Sequence, residues 1–120
     1  MNLLLDTHIF LWAIEDNPKL PKEIRNLILE ADQIFVSVAS LWECVIKIGL
    51  KKLKLDIEAL MASLEDLGFN LLPIKPSHLN ELLKLPALHK DPFDRLLIAQ
   101  AKSEPLLFQT IDEAALAYFK

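Results

Sequence analysis

Leu3-Leu4-Leu5-Asp6-Thr7-His8-Ile9-Phe10-Leu11-Trp12 carries the chain from one kind of structure into another. Three adjacent leucines with no polar residue between them suit a short strand buried on both faces. A carboxylate ends the apolar run, and a helical stretch opens behind it. The passage recurs. Ile34-Phe35-Val36-Ser37 leads into an amphipathic segment holding Glu43. Leu106-Leu107-Phe108 leads toward Asp112, and Asp94 stands at the opening of Arg95-Leu96-Leu97-Ile98-Ala99-Gln100-Ala101.

Outward from these points, apolar runs and breakers divide the rest of the chain. Strands are expected at residues 3–5, 34–37, 69–72 and 106–108. Helices are expected at residues 7–14, 21–31, 40–49, 57–67, 77–85, 92–102 and 112–119. Asp16-Asn17-Pro18 closes the first helix, Pro21 sits in the first turn of the second, and Gly68 and Pro86 stop two others. Strands alternating with helices or helix pairs imply a parallel sheet covered on both sides. The expected fold is α/β, a three-layer α/β/α sandwich around a short, mainly parallel sheet, with residues 1–120 as one domain.

The composition sets limits. A chain of 120 residues with 52% hydrophobic and 25% charged content has material for one full core. The lone cysteine, Cys44, excludes a disulfide framework, suits a reducing cytoplasm, and reads as a small buried apolar group. Asp6 interrupts the first apolar run too early for a signal peptide, and no run approaches a membrane span. A formal net charge of −4 is unlike the usual basic footprint of a nucleic-acid binder. Bound metal would offset the acids, however, and Lys47, Lys51, Lys52 and Lys54 gather in one place. Those lysines also read as a solvated helix end favoured by the dipole.

Asp6, Glu43, Asp94 and Asp112 form the constellation that carries chemistry. In an open α/β sheet the carboxyl ends of the strands share one edge, and ligands bind there. Each acid also has a local structural reading. Asp6 can cap the helix after it. Ser40-Leu41-Trp42-Glu43 matches a capping box, with Ser40 as the cap and Glu43 three residues on. In Asp91-Pro92-Phe93-Asp94, Asp91 can cap, Pro92 can take the first helical position and Asp94, at the third, can face the free amides, but a cap motif needs only one of the two acids, which singles out Asp94. Asp112 or Thr110 can cap the last helix. Jointly the four acids point to a cleft neutralised by a hard divalent cation with oxygen ligands. Helix N-termini favour ionised carboxylates, so such acids are expected to stay charged. His8 and His89 are candidate bases, read more simply as hydrogen-bonded structural groups. Trp12 and Trp42 read as core or interface residues rather than base-stacking platforms. No Ser-His-Asp arrangement, phosphate-binding lysine loop, dinucleotide turn or zinc spacing is present.

At these residues the chain resembles a PIN-domain ribonuclease, in particular the VapC-like toxin of a type II toxin–antitoxin pair. Leu4-Leu5-Asp6-Thr7-His8 resembles the family's first acidic motif, and Ser37-Val38-Ala39-Ser40-Leu41-Trp42-Glu43 its second. His89-Lys90-Asp91-Pro92-Phe93-Asp94-Arg95-Leu96-Leu97-Ile98-Ala99-Gln100-Ala101 resembles the third, and Thr110-Ile111-Asp112 the fourth. The resemblance implies that Asp6, Glu43 and Asp94 ligate Mg²⁺ or Mn²⁺. Asp112 would be a fourth acid, direct or through water, and Thr110 would hold a water. The implied reaction is hydrolysis of RNA phosphodiesters, with Lys47, Lys90 and Arg95 as candidate phosphate neighbours. Lys47 can instead pair with Glu43, and Arg95 with a neighbouring acid. The implied partners are RNA, a cognate antitoxin and a second copy of the chain. For the dimer, apolar helices around residues 9–14 and 41–50 are the expected surfaces. Ile111 departs from the pattern, standing where the family often has a basic residue, and Ser103-Glu104-Pro105 lacks a common glycine. Two other readings stay open. One is a PIN-like RNA- or protein-binding module without catalysis. The other is a phospho-receiver domain, against which stand a single acid after the first strand and no lysine after the last.

Overall fold

The computed structural model describes the whole chain, Met1–Lys120. Its elements follow the order β1 (Asn2–Leu5), α1 (Thr7–Glu15), α2 (Lys22–Glu30), β2 (Gln33–Ser37), α3 (Val38–Gly49), α4 (Ile57–Leu67), β3 (Asn70–Leu72), α5 (Pro76–Lys84), α6 (Pro92–Ser103), β4 (Leu107–Gln109) and α7 (Glu113–Leu116), ending in a 3-10 turn at Ala117–Phe119. The four strands form one sheet in the order β3-β2-β1-β4, and every pairing is parallel. β1 lies in the interior of the sheet, with Leu3 opposite Ile34 and Leu107, and Leu5 opposite Val36 and Gln109.

The leucine run explains the layers. Side chains of a strand alternate between faces. Leu3 and Leu5 enter a core with Ile9, Phe10, Leu20, Ile24, Leu60 and Leu64, under α1, α2 and α4. Leu4 enters the opposite core with Leu97, Ile98, Ala101, Phe108 and Tyr118, under α6 and the C-terminal helix. All three leucines are fully buried, each worth about 1.5–3 kcal/mol of transfer free energy. The expected three-layer α/β/α sandwich is thus the observed one, and its sheet is wholly parallel.

Parallel strands send all their carboxyl ends to one edge. Asp6 after β1, Ser37 after β2, and Thr110 and Asp112 after β4 all lie there. The Asp6 amide extends the ladder by donating to the Gln109 carbonyl at 3.0 Å.

Two boundaries differ from expectation. α3 starts at Val38 rather than at residue 40, because Ser37 is its cap and accepts from the Ala39 amide at 3.0 Å. The stretch expected as one terminal helix is α7 followed by the 3-10 turn, with Asp112 as cap. In α1, Ile9, Phe10 and Leu11 are buried in the core, and Trp12, Ala13 and Ile14 at its end stay part-exposed. On α3, Val45 and Ile46 are exposed, as is Leu50 just beyond its end. Cys44 is fully buried as expected, and burial pushes its thiol up to about 11. No helix is long and apolar enough to cross a membrane.

Candidate active site

Asp6 sits at the turn from β1 into α1, only 5% exposed. It does cap α1, accepting from the Ile9 amide at 2.8 Å. Burial raises its pKa, while the Thr110 hydroxyl and the Ile9 amide pull the other way and Glu43 adds repulsion. Asp6 is thus a cap that is also buried and crowded by another acid.

The capping-box reading of Glu43 does not hold. With Ser37 as the cap, Glu43 lies in the second turn of α3, beyond reach of the free amides. Its carboxylate instead accepts from the Thr7 hydroxyl at 2.8 Å and pairs with Lys47 at 3.3 Å. Thr7 Oγ1 also lies 3.0 Å from Ser40 Oγ, and with its one proton given to Glu43 it accepts from the Ser40 hydroxyl there, so one hydroxyl ties the start of α1 to α3 and aims Glu43. Thr7 and Ser40 gave no signal in the sequence, because their partners are far along the chain.

At α6 the two acids divide their work as expected. Asp91 caps the helix, accepting from the amides of Phe93 at 2.8 Å and Asp94 at 3.2 Å. Asp94 has no capping task. Its pKa is raised to about 6, first by burial, then by repulsion from Asp91, Asp6 and Glu43, with His89 acting in the opposite sense. The expectation that helix N-termini would keep these acids at ordinary or lower values therefore fails for Asp6 and Asp94. Desolvation and like charge outweigh the dipole.

His89, passed over above as a minor candidate, stands at the centre. Its Nε2 lies 3.1 Å from Asp94 Oδ2 and 3.0 Å from Asp112 Oδ2. Its Nδ1 accepts from the Asp91 amide at 3.1 Å. A nitrogen that accepts a backbone N–H carries no proton, so in the neutral ring Nε2 is the protonated nitrogen; it donates to Asp112, with the Asp94 carboxylate beside it. His89 thereby ties the first turn of α6 to the cap of α7. Asp112 also accepts from the amides of Ala114 and Ala115. Burial works against its charge, but the His89 bond and these amides outweigh it and lower its pKa.

The remaining candidates find other places. Thr110 is buried, and its hydroxyl accepts from the Asp112 amide at 3.1 Å. Lys90 is exposed on the loop before α6. Arg95 pairs with no acid: it donates to the Pro86 carbonyl and to the Tyr118 hydroxyl, each at 2.9 Å. Tyr118 in turn accepts from the amides of Leu88 and His89 and donates to Pro86. Arg95 and Tyr118 thus fix the loop that carries His89. Trp42 is not core: it is 57% exposed and meets Phe93 edge-on. Trp12 is half-buried against the α1 core.

Atoms of His89, Asp94 and Asp112 that can bind a cation all lie within 4.8 Å of one another. Asp6 and Glu43 stand near enough to repel Asp94. Oxygen-rich, crowded and partly desolvated, these residues fit a hard divalent cation. Burial first, and then the acids around it, raise the Asp94 pKa, with His89 the one group that opposes them.

The family described as PIN domain matches residues 3–118. Comparison with curated proteins gives no match. Among solved structures, VapBC2 from Rickettsia felis, bound to a DNA fragment from its promoter, is similar with a TM-score of 0.68 and 21% identity, over 94% of this chain and 89% of that one. FitAcB from Neisseria gonorrhoeae is similar with a TM-score of 0.67 and 18% identity, over 98% of this chain and 92% of that one.

Proposed function

The chain belongs to the PIN-domain family, and we propose that it is a metal-dependent endoribonuclease, the toxin of a toxin–antitoxin pair. PIN domains are in general nucleases that use divalent metal ions. The observation that carries the reading is Asp94, held at about 6 by burial and by the acids beside it. A purely structural helix start would not gather this charge, since Asp91 already supplies the cap.

Asp6, Glu43, Asp94 and Asp112 would hold Mg²⁺ or Mn²⁺, which supplies an activated water and neutralises charge building on the scissile phosphate. The chain's own residues do the rest. Thr7 fixes the Glu43 carboxylate, and the Ile9 amide fixes that of Asp6. The His89 Nε2 proton is held by Asp112 and orients it, with Asp94 Oδ2 3.1 Å from the same nitrogen. Thr110 presents its oxygen to the Asp112 amide and so sets the turn that places Asp112. Lys90 on the loop before α6, and Lys47 beside Glu43, are the cations placed to meet flanking phosphates. Arg95 serves this site by bracing the loop.

The two solved relatives are toxin–antitoxin assemblies, and a cognate antitoxin is the partner that follows for this chain. A second copy is proposed to pack on the outward stripe of α3 at Val45, Ile46 and Leu50. The site of action is the cytoplasm, where RNA and antitoxin meet.

Cleavage of a looped RNA in Mn²⁺ buffer tests the reading. Activity should vanish in EDTA, and Asp94→Asn should lose at least about a hundredfold, more than the loss typical of a residue behind the ligands. Undiminished cleavage by Asp94→Asn would overturn the assignment. Wild-type protein that binds RNA tightly and never cuts it would favour the binding-module reading.

A further inference from the structure

Two acids of the site share a feature that metal binding does not use. Trp42 immediately precedes Glu43 on α3, and Phe93 immediately precedes Asp94 on α6. The two rings meet across the helices with centroids 5.0 Å apart and planes at 72°. An edge-to-face pair of this kind holds each ring in place and leaves each with at least one free face. Trp42 is nevertheless 57% exposed, a large apolar area left in water at the rim of a charged cleft.

We propose that Trp42, braced by Phe93, is a stacking platform for an unpaired nucleobase whose phosphate lies at the acidic cluster. The proposal rests on the nuclease reading and names the form of substrate that reading would take: a single strand or loop with splayed bases. Every base has an apolar face, so such a platform favours unpaired strands without choosing a sequence. Its charge surroundings suit a nucleotide better than an apolar helix. Glu43 and Lys47 form an ion pair beside it, both with most of their side chains already covered. A helix laid over Trp42 would desolvate that pair and return no charge to it. A nucleotide brings its own phosphate, with Lys47 and the exposed Lys90 at hand. Trp42 shares its face of α3 with Val45 and Ile46, three and four residues on, and the Phe93 contact fixes its indole at the α6 end of that face, beside the helix that carries Asp94.

The experiment compares a short single-stranded RNA with the same strand carrying an internal run of abasic ribosides. Affinity and cleavage are measured for wild type, Trp42→Ala and Trp42→Phe in Mn²⁺ buffer. Trp42→Ala should weaken the intact strand about five- to 150-fold, seen in KM with kcat little changed. It should leave the abasic strand unaffected. Trp42→Phe should restore most of the affinity while abolishing the quenching of indole fluorescence that RNA causes in wild type. Equal losses for intact and abasic strands would overturn the platform. So would a wild-type response from Trp42→Ala. A change from dimer to monomer in Trp42→Ala, with discrimination between strands intact, would make the patch a protein interface. Wild type that neither binds nor cuts any strand would remove the nuclease reading and the platform together, whereas normal cutting with no Trp42 effect removes the platform alone.

Discussion

Two histidines of this chain are wired in the same way and do different things. His78, on α5, accepts the Lys75 amide at Nδ1 at 3.0 Å and faces Glu104 from Nε2 at 2.7 Å. His89 accepts the Asp91 amide at Nδ1 and faces Asp94 and Asp112 from Nε2. Around His78 the charges balance, and the one polar atom left over is the buried, unpartnered Gln100 Oε1. The His78 ring is fully buried, Gln100 Nε2 packs 3.3 Å from Nδ1 while donating to the Pro73 carbonyl, and Lys75 neutralises Glu104 at 3.4 Å. The His78 bond is the main cause that lowers the Glu104 pKa. Around His89 they do not balance. Two carboxylates share one imidazole, no lysine or arginine pairs with either, and Asp94 rises to about 6. The same hydrogen-bond pattern is a rivet where charge balances and a site where it does not.

The largest expected effect sets the two histidines against each other. His78→Ala would take the acceptor from the part-buried Lys75 amide, leave the Gln100 amide only its Pro73 contact, and open a void where a fully buried ring stood. It should cost about 2–4 kcal/mol in a denaturant melt, with cleavage per folded molecule unchanged. His89→Ala should do the reverse: a loss of under about 1 kcal/mol, because the ring is partly exposed, and a ten- to hundredfold fall in cleavage, the usual effect of removing a group that orients ligands. If both variants lost stability alike and neither lost activity, the contrast between rivet and site would be gone.

How far the contrast was legible in the sequence depends on where each partner lies. Leu3-Leu4-Leu5 announced a buried strand because three adjacent apolar residues leave no polar face. The four acids were legible because each follows or opens an element within a few residues. The bridge from His89 was not, since Asp112 lies far along the chain and only the β1–β4 pairing brings α7 beside α6. The start of α3 was misplaced because Ser37 and Ser40 both precede the apolar face at cap spacing, and Val38 suits a strand as well as a helix. Arg95 looked like a phosphate or acid partner. Its real partners are backbone carbonyls and a tyrosine hydroxyl, which no local pattern encodes.

A second, smaller effect appears with pH in the metal-free protein. The folded state holds the Asp94 proton more tightly than the unfolded chain does, with a pKa of about 6 against an ordinary 3.8. Stability from this group is full at low pH and is lost as pH rises through that window. Asp6, also raised, has the same sign. Glu104 has the opposite sign: its lowered pKa gives stability that is lost as pH falls. Melts in EDTA should therefore show wild type losing roughly 1–3 kcal/mol relative to Asp94→Asn between about pH 4 and pH 7. Saturating Mn²⁺ should reverse that order, since an ion bound only by the folded protein stabilises it. Parallel pH profiles for the two proteins would mean that Asp94 is not buried among like charges.

The smallest effect separates cap from charge at Asp91. This carboxylate does two things of opposite sign. It caps α6 through the Phe93 and Asp94 amides, and after burial its charge does most to raise the Asp94 pKa. Asparagine caps about as well as aspartate, whereas alanine does not cap. Asp91→Ala should cost about 1 kcal/mol at pH 5, where Asp94 is largely protonated and no repulsion is there to relieve. At pH 8 the cost should shrink, because the variant also frees ionised Asp94 from a like charge. Asp91→Asn keeps the cap and removes only the charge. It should be neutral at pH 5 and slightly stabilising at pH 8 in EDTA, by a few tenths of a kcal/mol given how strongly water screens a partly exposed pair. The His78 cluster has no acid placed to show this crossover, because Lys75 already compensates Glu104. If Asp91→Asn shifted the melt equally at both pH values, Asp91 would act on α6 alone, and the crowding at Asp94 would have to come from Asp6 and Glu43.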